Sequence, residues 1–332
     1  MDTHAPVMRK IMPGIMSRIF NKTVEEIRQE EPQSILGANF VELCGDMLTV
    51  KSEPVRILPA LNNAKKGSEL RKHSFFEAAS LRKFGDLYYF IYSSHVNHEL
   101  CYATSKYPDH GYKYRGVIVS NGDIGYHGRS AKDRLAATGT NHGSIEYING
   151  KYYIFYHRLT HNTAFSRQGC AEEIKILPDG TIKQVEMTSC GLNGEPLVTE
   201  GKYPAAICCN LTNGKMPHLS NVQKGKYSPN VNHEGNTRFV KNLENKTLVG
   251  YKYFAFSGKT NVKVVTRGAS GIFCVMTEPG KIIAEIPLEA SGEWKESKSV
   301  SFMAEGVKPL YFEYRGRGKA DFLKFILTGR ES

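Results

Sequence analysis

The sequence predicts an all-β chain: radially stacked sheet repeats followed by a β-sandwich. Three observations point there. Glycine (31), tyrosine (18) and phenylalanine (16) are plentiful, while long Ala/Leu/Glu/Lys stretches are scarce, a balance that favours strands and tight turns. A unit of strand, turn and aromatic strand occurs twice. The C-terminal part breaks into short apolar runs separated by turn residues. With 40% hydrophobic and 23% charged residues, the 332-residue chain has the makings of a packed core.

The first repeat is EAASLRKFGDLYYFIYSS, which places strands at Ala79–Lys83 and Leu87–Tyr92 around a Gly85-Asp86 turn. The second, GSIEYINGKYYIFYHR, turns at Asn149-Gly150 before the aromatic strand Tyr152–Tyr156. CAEEIKILPDGTIKQVEM follows as a strand with a turn at Pro178-Asp179-Gly180. One such unit cannot bury both of its faces, and repeats of this kind stack radially in propellers. Two unrelated hairpins of a sandwich would give the same pattern.

Around these repeats the chain divides into four stretches. Residues 1–34 form an N-terminal segment, partly helical or irregular, with a short helix expected from a Thr23 cap to just before Pro32. Residues 35–210 hold the sheet repeats. Residues 211–240 are rich in Gly, Asn, Pro and Ser and read as a linker or long loop. Residues 241–330 carry the runs LVGYKYFAF, NVKVVTRG, GIFCVMT, KIIAEIPL, WKESKSVSF, KPLYFEYRG and DFLKFIL, the pattern of a sandwich.

The net charge is +11, but Lys and Arg are dispersed and no nucleic-acid-binding signature occurs, so no nucleic-acid partner is expected. No apolar run reaches membrane-spanning length, so no membrane association is expected either. The seven cysteines are irregularly spaced without a CxxC pair, which argues for buried free thiols over zinc or disulfides.

Three segments carry candidate chemistry. In His73-Ser-Phe-Phe-Glu77, a glutamate follows two aromatics and opens a strand. An apolar setting would raise its pKa and suit it to act as a general acid in glycosidic cleavage. A strand-edge glutamate facing water is the plainer reading. In Thr140-Asn-His142-Gly-Ser, the histidine at the start of a strand could ligate an ion or water, bind a sugar hydroxyl, or simply complete a turn. Arg158 and Arg167 close or open aromatic strands, where arginines position hydroxyls or carboxylates, or are ordinary surface residues.

At these residues the sequence resembles a known family. FFEAASLRKFGDLYYFIYSS, NHGSIEYINGKYYIFYHR and SRQGCAEEIKILPDGTI are similar, in order, to segments of glycoside hydrolase family 43. GYKYFAF, Trp294 and GVKPLYFEYRGRGKADFLKF more loosely resemble a family 6-type carbohydrate-binding module. The resemblance implies a five-bladed β-propeller, here incomplete with about three blades, and a jelly-roll sandwich. It implies inverting hydrolysis of arabinose- or xylose-containing plant cell-wall poly- or oligosaccharides. It makes Glu77 the general acid and puts Phe76, His142, Arg158 and Arg167 on the substrate side, with calcium held through water at His142. Tyr251, Tyr253, Tyr311, Tyr314 and Trp294 are sugar-stacking candidates, with core packing as the commoner fate.

The sequence departs from that family in its carboxylates. A catalytic base and a pKa-modulating aspartate normally precede this region, and Asp2 is the only aspartate before Asp46. Inversion needs a base to activate water. The chain is therefore expected to be a truncated or split product, with a non-catalytic carbohydrate-binding remnant as the alternative. The start, MDTHAPVMRKIMPGIMSRIF, has no apolar core of signal-peptide length, although members of the family are often secreted or periplasmic.

Overall fold

The computed structural model describes residues 14–15, 17–19, 21, 23–26, 37–219 and 228–329. Of the N-terminal helix, residues 24–26 are helical and a capping box closes on them. Glu26 N donates to Thr23 Oγ1 at 3.2 Å and Thr23 N donates to the Glu26 carboxylate at 2.6 Å. The rest of that expected helix lies outside the described residues.

Three sheets come first. Strands β1 (Gly37–Phe40) and β2 (Val55–Pro59) form an antiparallel pair. β3 (Phe75–Phe84), β4 (Leu87–Ser94), β5 (Glu99–Ser105) and β6 (Lys113–Ser120) form a four-stranded meander. β7 (Ser144–Ile148), β8 (Lys151–Leu159) and β9 (Arg167–Ile174) form the third sheet. The repeat is real: its aromatic runs become β4 and β8, each with a strand paired on either side. The Asn149-Gly150 turn has positive φ at both residues (50° and 84°), the twist that a two-residue hairpin needs. Beyond Ile174 the expected strand is lost, and only an Ile176–Ile182 bridge flanks the Pro178-Asp179-Gly180 turn.

The second and third sheets share one core. Tyr89, Ile91, Leu100, Tyr102 and Ile118 from one meet Ile145, Ile154 and Tyr156 from the other. Phe84 packs edge-on against Tyr152 at 4.9 Å, and Ser80 Oγ lies 2.7 Å from Ser144 Oγ. Each meander thus covers the face that its neighbour could not bury alone.

The remaining strands join one eleven-stranded sheet that curls around a second core. They are β10 (Leu197–Val198), β11 (Gly201–Pro204), β12 (Asn210–Thr212), β13 (Asn230–Glu234), β14 (Thr237–Leu243), β15 (Thr247–Gly268), β16 (Gly271–Glu278), β17 (Lys281–Leu288), β18 (Ser291–Glu296), β19 (Val300–Arg315) and β20 (Ala320–Thr328). Phe254, Phe273, Phe312, Phe322 and Phe325 are fully buried within it, each contributing roughly 1.5–3 kcal/mol.

Two expectations are corrected here. Residues 211–240 are more than a linker, because β12, β13 and the start of β14 fall in that stretch. LVGYKYFAF and NVKVVTRG are one 22-residue strand, β15, whose Thr247–Val262 part pairs with β19 and whose Asn261–Gly268 part pairs with β20. Gly258 (φ 120°) and Gly306 (φ 76°) lie close together on these partners and let both long strands bend rather than break.

The two parts are also tied by charge. Lys252 of β15 is buried and bonds Asp123 at 3.1 Å and Glu186 at 2.7 Å, both from the connections between the earlier strands. All seven cysteines are free, and Cys101, Cys208, Cys209 and Cys274 are buried. No described helix is long and apolar enough to cross a membrane.

Candidate active site

Glu77 sits in β3 between two breaks in the ladder. Phe75 pairs with Ser94, Glu77 with Ser93, and Ser80 with Ile91, so the register slips on both sides of Glu77. The next residue, Ala78, has φ 59°, the left-handed region that costs a non-glycine residue roughly 1–2 kcal/mol. Bulges of this kind re-aim a side chain out of the sheet. Here they turn the carboxylate toward the neighbouring sheet, where Glu77 Oε1 lies 2.9 Å from His142 Nε2.

The site is open. The Glu77 side chain is 40% exposed, and Phe76 beside it is 52% exposed. The apolar enclosure expected around Glu77 is therefore not what the fold provides, because the paired bulges lift it off the buried face. Phe76, the preceding residue, is also left exposed.

His142 is placed by the residue after it. A Cβ on Gly143 would lie 1.8 Å from the Phe155 carbonyl oxygen, so only glycine lets this loop press against β8. Asn141, fully buried, fixes the same loop by accepting from His157 N at 3.3 Å.

Behind His142 stands a histidine that the sequence reading passed over. The His157 ring meets that of His142 edge to face at 5.3 Å. It is buried, and neither of its nitrogens has a partner among the described residues. Burial first, then the nearby charges of Arg167 and His142, push its pKa down to about 4, so it stays neutral near pH 7.

The two arginines part company. Arg158 is 5% exposed, and its guanidinium donates to the carbonyls of Cys208 and Ala206 and to Gln168 Oε1. It holds the 205–208 turn against β8 and has no donor left for a sugar, which corrects its expected place on the substrate side. Arg167, at the start of β9, is exposed and has no carboxylate partner among the described residues.

No other carboxylate bonds Glu77 or His142 among the described residues. Asp46 closes an exposed turn, accepting from Leu48 N, Thr49 N and Thr49 Oγ1, bonds that hold its pKa at about 2. Asp123 is committed to Lys252 and Met187 N. A second polar cluster also went unforeseen: buried Glu99 meets His73 Nδ1 and Ser94 Oγ, each at 2.6 Å, and Cys101 Sγ at 3.3 Å. Burial pushes the Glu99 carboxyl up, but the His73 and Ser94 bonds outweigh it and leave its pKa below the ordinary value.

In the sandwich, Tyr251 and Tyr314 are fully buried, and Tyr311 is 8% exposed. Tyr253 donates to the Glu186 carboxylate. Trp294 has Arg267 over its ring at 4.4 Å and Phe239 edge-on at 5.3 Å, so its contacts are those of packing.

The strand order and the Glu77 site define an all-β chain of the propeller-and-sandwich class, with a carboxylate–imidazole pair between two blade sheets. More particularly, 302 residues are 46% identical to a xylosidase/arabinosidase of Thermoclostridium stercorarium, covering 88% of this chain and 64% of that relative. That kinship bears out the resemblance to glycoside hydrolase family 43. A β-xylosidase of Xylanibacter ruminicola is 28% identical over 160 residues, 48% of this chain and 45% of its own length. The chain thus spans less than two thirds of these curated relatives. A family 43 arabinoxylan arabinofuranohydrolase of Bacillus subtilis, solved with cellotetraose, matches 88% of this chain and 59% of its own, with a TM-score of 0.43 and 18% identity. No family model matches the chain.

Proposed function

We propose that the chain supplies the acid-catalyst side of a glycosidase acting on xylose- or arabinose-containing plant cell-wall glycans. The observation that carries this reading is the solvent-exposed Glu77–His142 pair, which two bulges and a left-handed Ala78 bring together across two sheets. Relatives named xylosidase/arabinosidase and β-xylosidase support the sugar class.

In this reading Glu77 donates its proton to the glycosidic oxygen as the bond to the anomeric carbon breaks. His142, 2.9 Å away, orients the carboxyl and shares its proton. Phe76 offers an apolar face to a sugar ring. Arg167 reaches a substrate hydroxyl or carboxylate. Water must be activated from the opposite face of the sugar by a carboxylate other than those bonded at this site. The donors near His142, two imidazoles and one carboxylate, are too few oxygens for a direct calcium cage of six to eight and fit that ion only through water. Such an ion would orient water and polar groups, and no step depends on it here.

The test is hydrolysis of aryl β-xyloside and aryl α-arabinofuranoside by the chain and its Glu77→Gln variant. Turnover that Glu77→Gln abolishes supports the proposal. Absence of turnover, together with a melting temperature raised by xylo- or arabino-oligosaccharides, favours the non-catalytic binding alternative.

A further inference from the structure

Three elements converge beside Arg167. The β8–β9 turn brings Thr160, His161 and Ser166. The β13–β14 hairpin brings His233 and Arg238, which are cross-strand partners. The β11–β20 pair brings Lys202 and Lys324, two residues out of register with each other. Between them run two cavities of about 130 Å³ and 480 Å³, which meet at Gln168 and Arg238. The larger lies within the range of small-ligand sites, about 300–1,000 Å³.

The lining is one-signed. No aspartate or glutamate lines either cavity among the described residues. Arg167, Lys202, Arg238 and Lys324 have no ion pair among the described residues, whereas Arg267 on the same sheet is satisfied by both Glu234 and Asp321. His161 meets the His233 ring at 4.6 Å, and its Nε2 is buried without a partner. His161 (φ 59°) and Asn162 (φ 53°) are successive left-handed residues, a strained turn that holds the imidazole in place. Neutral donors and acceptors, Gln168, Asn232 and Asn236, sit between the cations. Separated cations interleaved with amides fit a chain bearing a carboxylate every few sugars better than the dense charge of a polyphosphate.

We propose that this groove binds the uronate carboxylate of an acidic glycan, so that the chain selects pentose-containing polysaccharides carrying uronic-acid side groups. This rests on the sugar class proposed above and deepens it.

The test is calorimetric titration of the chain with a glucuronate-substituted xylo-oligosaccharide and with the same oligosaccharide as its methyl ester. The acid is expected to bind about tenfold more tightly, a gap of about 1.4 kcal/mol, and added salt is expected to narrow it. Arg238→Gln and Lys324→Gln, singly and together, should lower affinity for the acid toward that of the ester and leave ester affinity and melting temperature unchanged. Equal affinity for acid and ester, or variants that leave the gap intact, would overturn the proposal, as would tighter binding of a single-stranded oligonucleotide. Binding of the acid by a chain that cleaves nothing keeps this proposal and removes the hydrolase reading. Cleavage of neutral arabinoxylan without preference for the acid does the reverse.

Discussion

Glu77 and His142 come from different sheets and meet at 2.9 Å, with 40% and 32% of their side chains exposed. Each arrives by a backbone device, Glu77 through a double bulge and His142 through the close approach at Gly143. Removing the carboxylate should therefore affect chemistry and hardly touch folding. Glu77→Gln is expected to lower kcat on an aryl glycoside by about 10²–10⁴-fold, with the melting temperature within a degree or two of the parent. Steady-state kinetics and calorimetry on the same preparations check both halves.

Gly143→Ala should do the opposite. The added methyl cannot coexist with the Phe155 carbonyl, so the loop must retreat and carry His142 away from Glu77. Lost stability is expected at about 1–3 kcal/mol, together with a lower kcat on the same aryl glycoside. A variant as stable and as active as the parent would contradict this placement.

Arg158 is a structural cation. Arg158→Ala leaves the Cys208 and Ala206 carbonyls without their donor inside the protein. Unpaired buried groups of this kind cost about 1–3 kcal/mol each, so denaturant unfolding should show a loss of roughly 3 kcal/mol or more. Arg167→Ala, on the surface, should cost less than 1 kcal/mol.

Two buried groups should tilt stability in opposite directions across the same pH range. Burial raises Glu172 to about 7, against bonds from Thr188 and Tyr156 that lower it. Folding therefore favours its protonated form, and stability falls as pH rises from about 4.5 to 7. His157 is lowered to about 4, so folding favours its neutral form, and stability falls as pH drops from about 6.5 to 4. Each amounts to about 3 kcal/mol over its full range at 1.36 kcal/mol per unit. Glu172→Gln should leave the His157 slope exposed, with stability climbing as pH rises through 4–6.5. Urea midpoints at several pH values read this directly, and a parent-like flat profile would refute it.

Lys252→Met should be among the most damaging single changes. It strands Asp123, 1% exposed in its side chain, without its cation. Breaking one side of a buried pair costs about 3–5 kcal/mol. The double change Lys252→Met with Asp123→Leu should recover part of that loss, and a double-mutant cycle checks it.

Much of the fold was legible because its signals were local. The Asn149-Gly150 turn and the aromatic runs at Tyr88 and Tyr152 need only their own neighbours to be understood. Glu77 and His142 were legible as residues but not as a pair, since 65 positions separate them and the bulge around Ala78 has no sequence signature. Arg158 was taken over His157 although the two point to opposite faces of β8, and it is the imidazole that faces His142. The Glu99 cluster was invisible for a similar reason, because 26 positions separate His73, which precedes β3, from Glu99, which opens β5. The 22-residue β15 was divided around Gly258, a glycine that bends the strand instead of ending it.

The way β10, β11 and β12 leave the blade region to pair with β15 and β20 has a practical consequence for anyone dissecting the gene. A cut placed in the polar stretch after residue 212, where composition invites one, would strip three strands from the C-terminal half and bare the flanks of β15 and β20. The two fragments should be insoluble when expressed apart and soluble when co-expressed. A cut before Leu197 keeps those strands with the sheet that they complete.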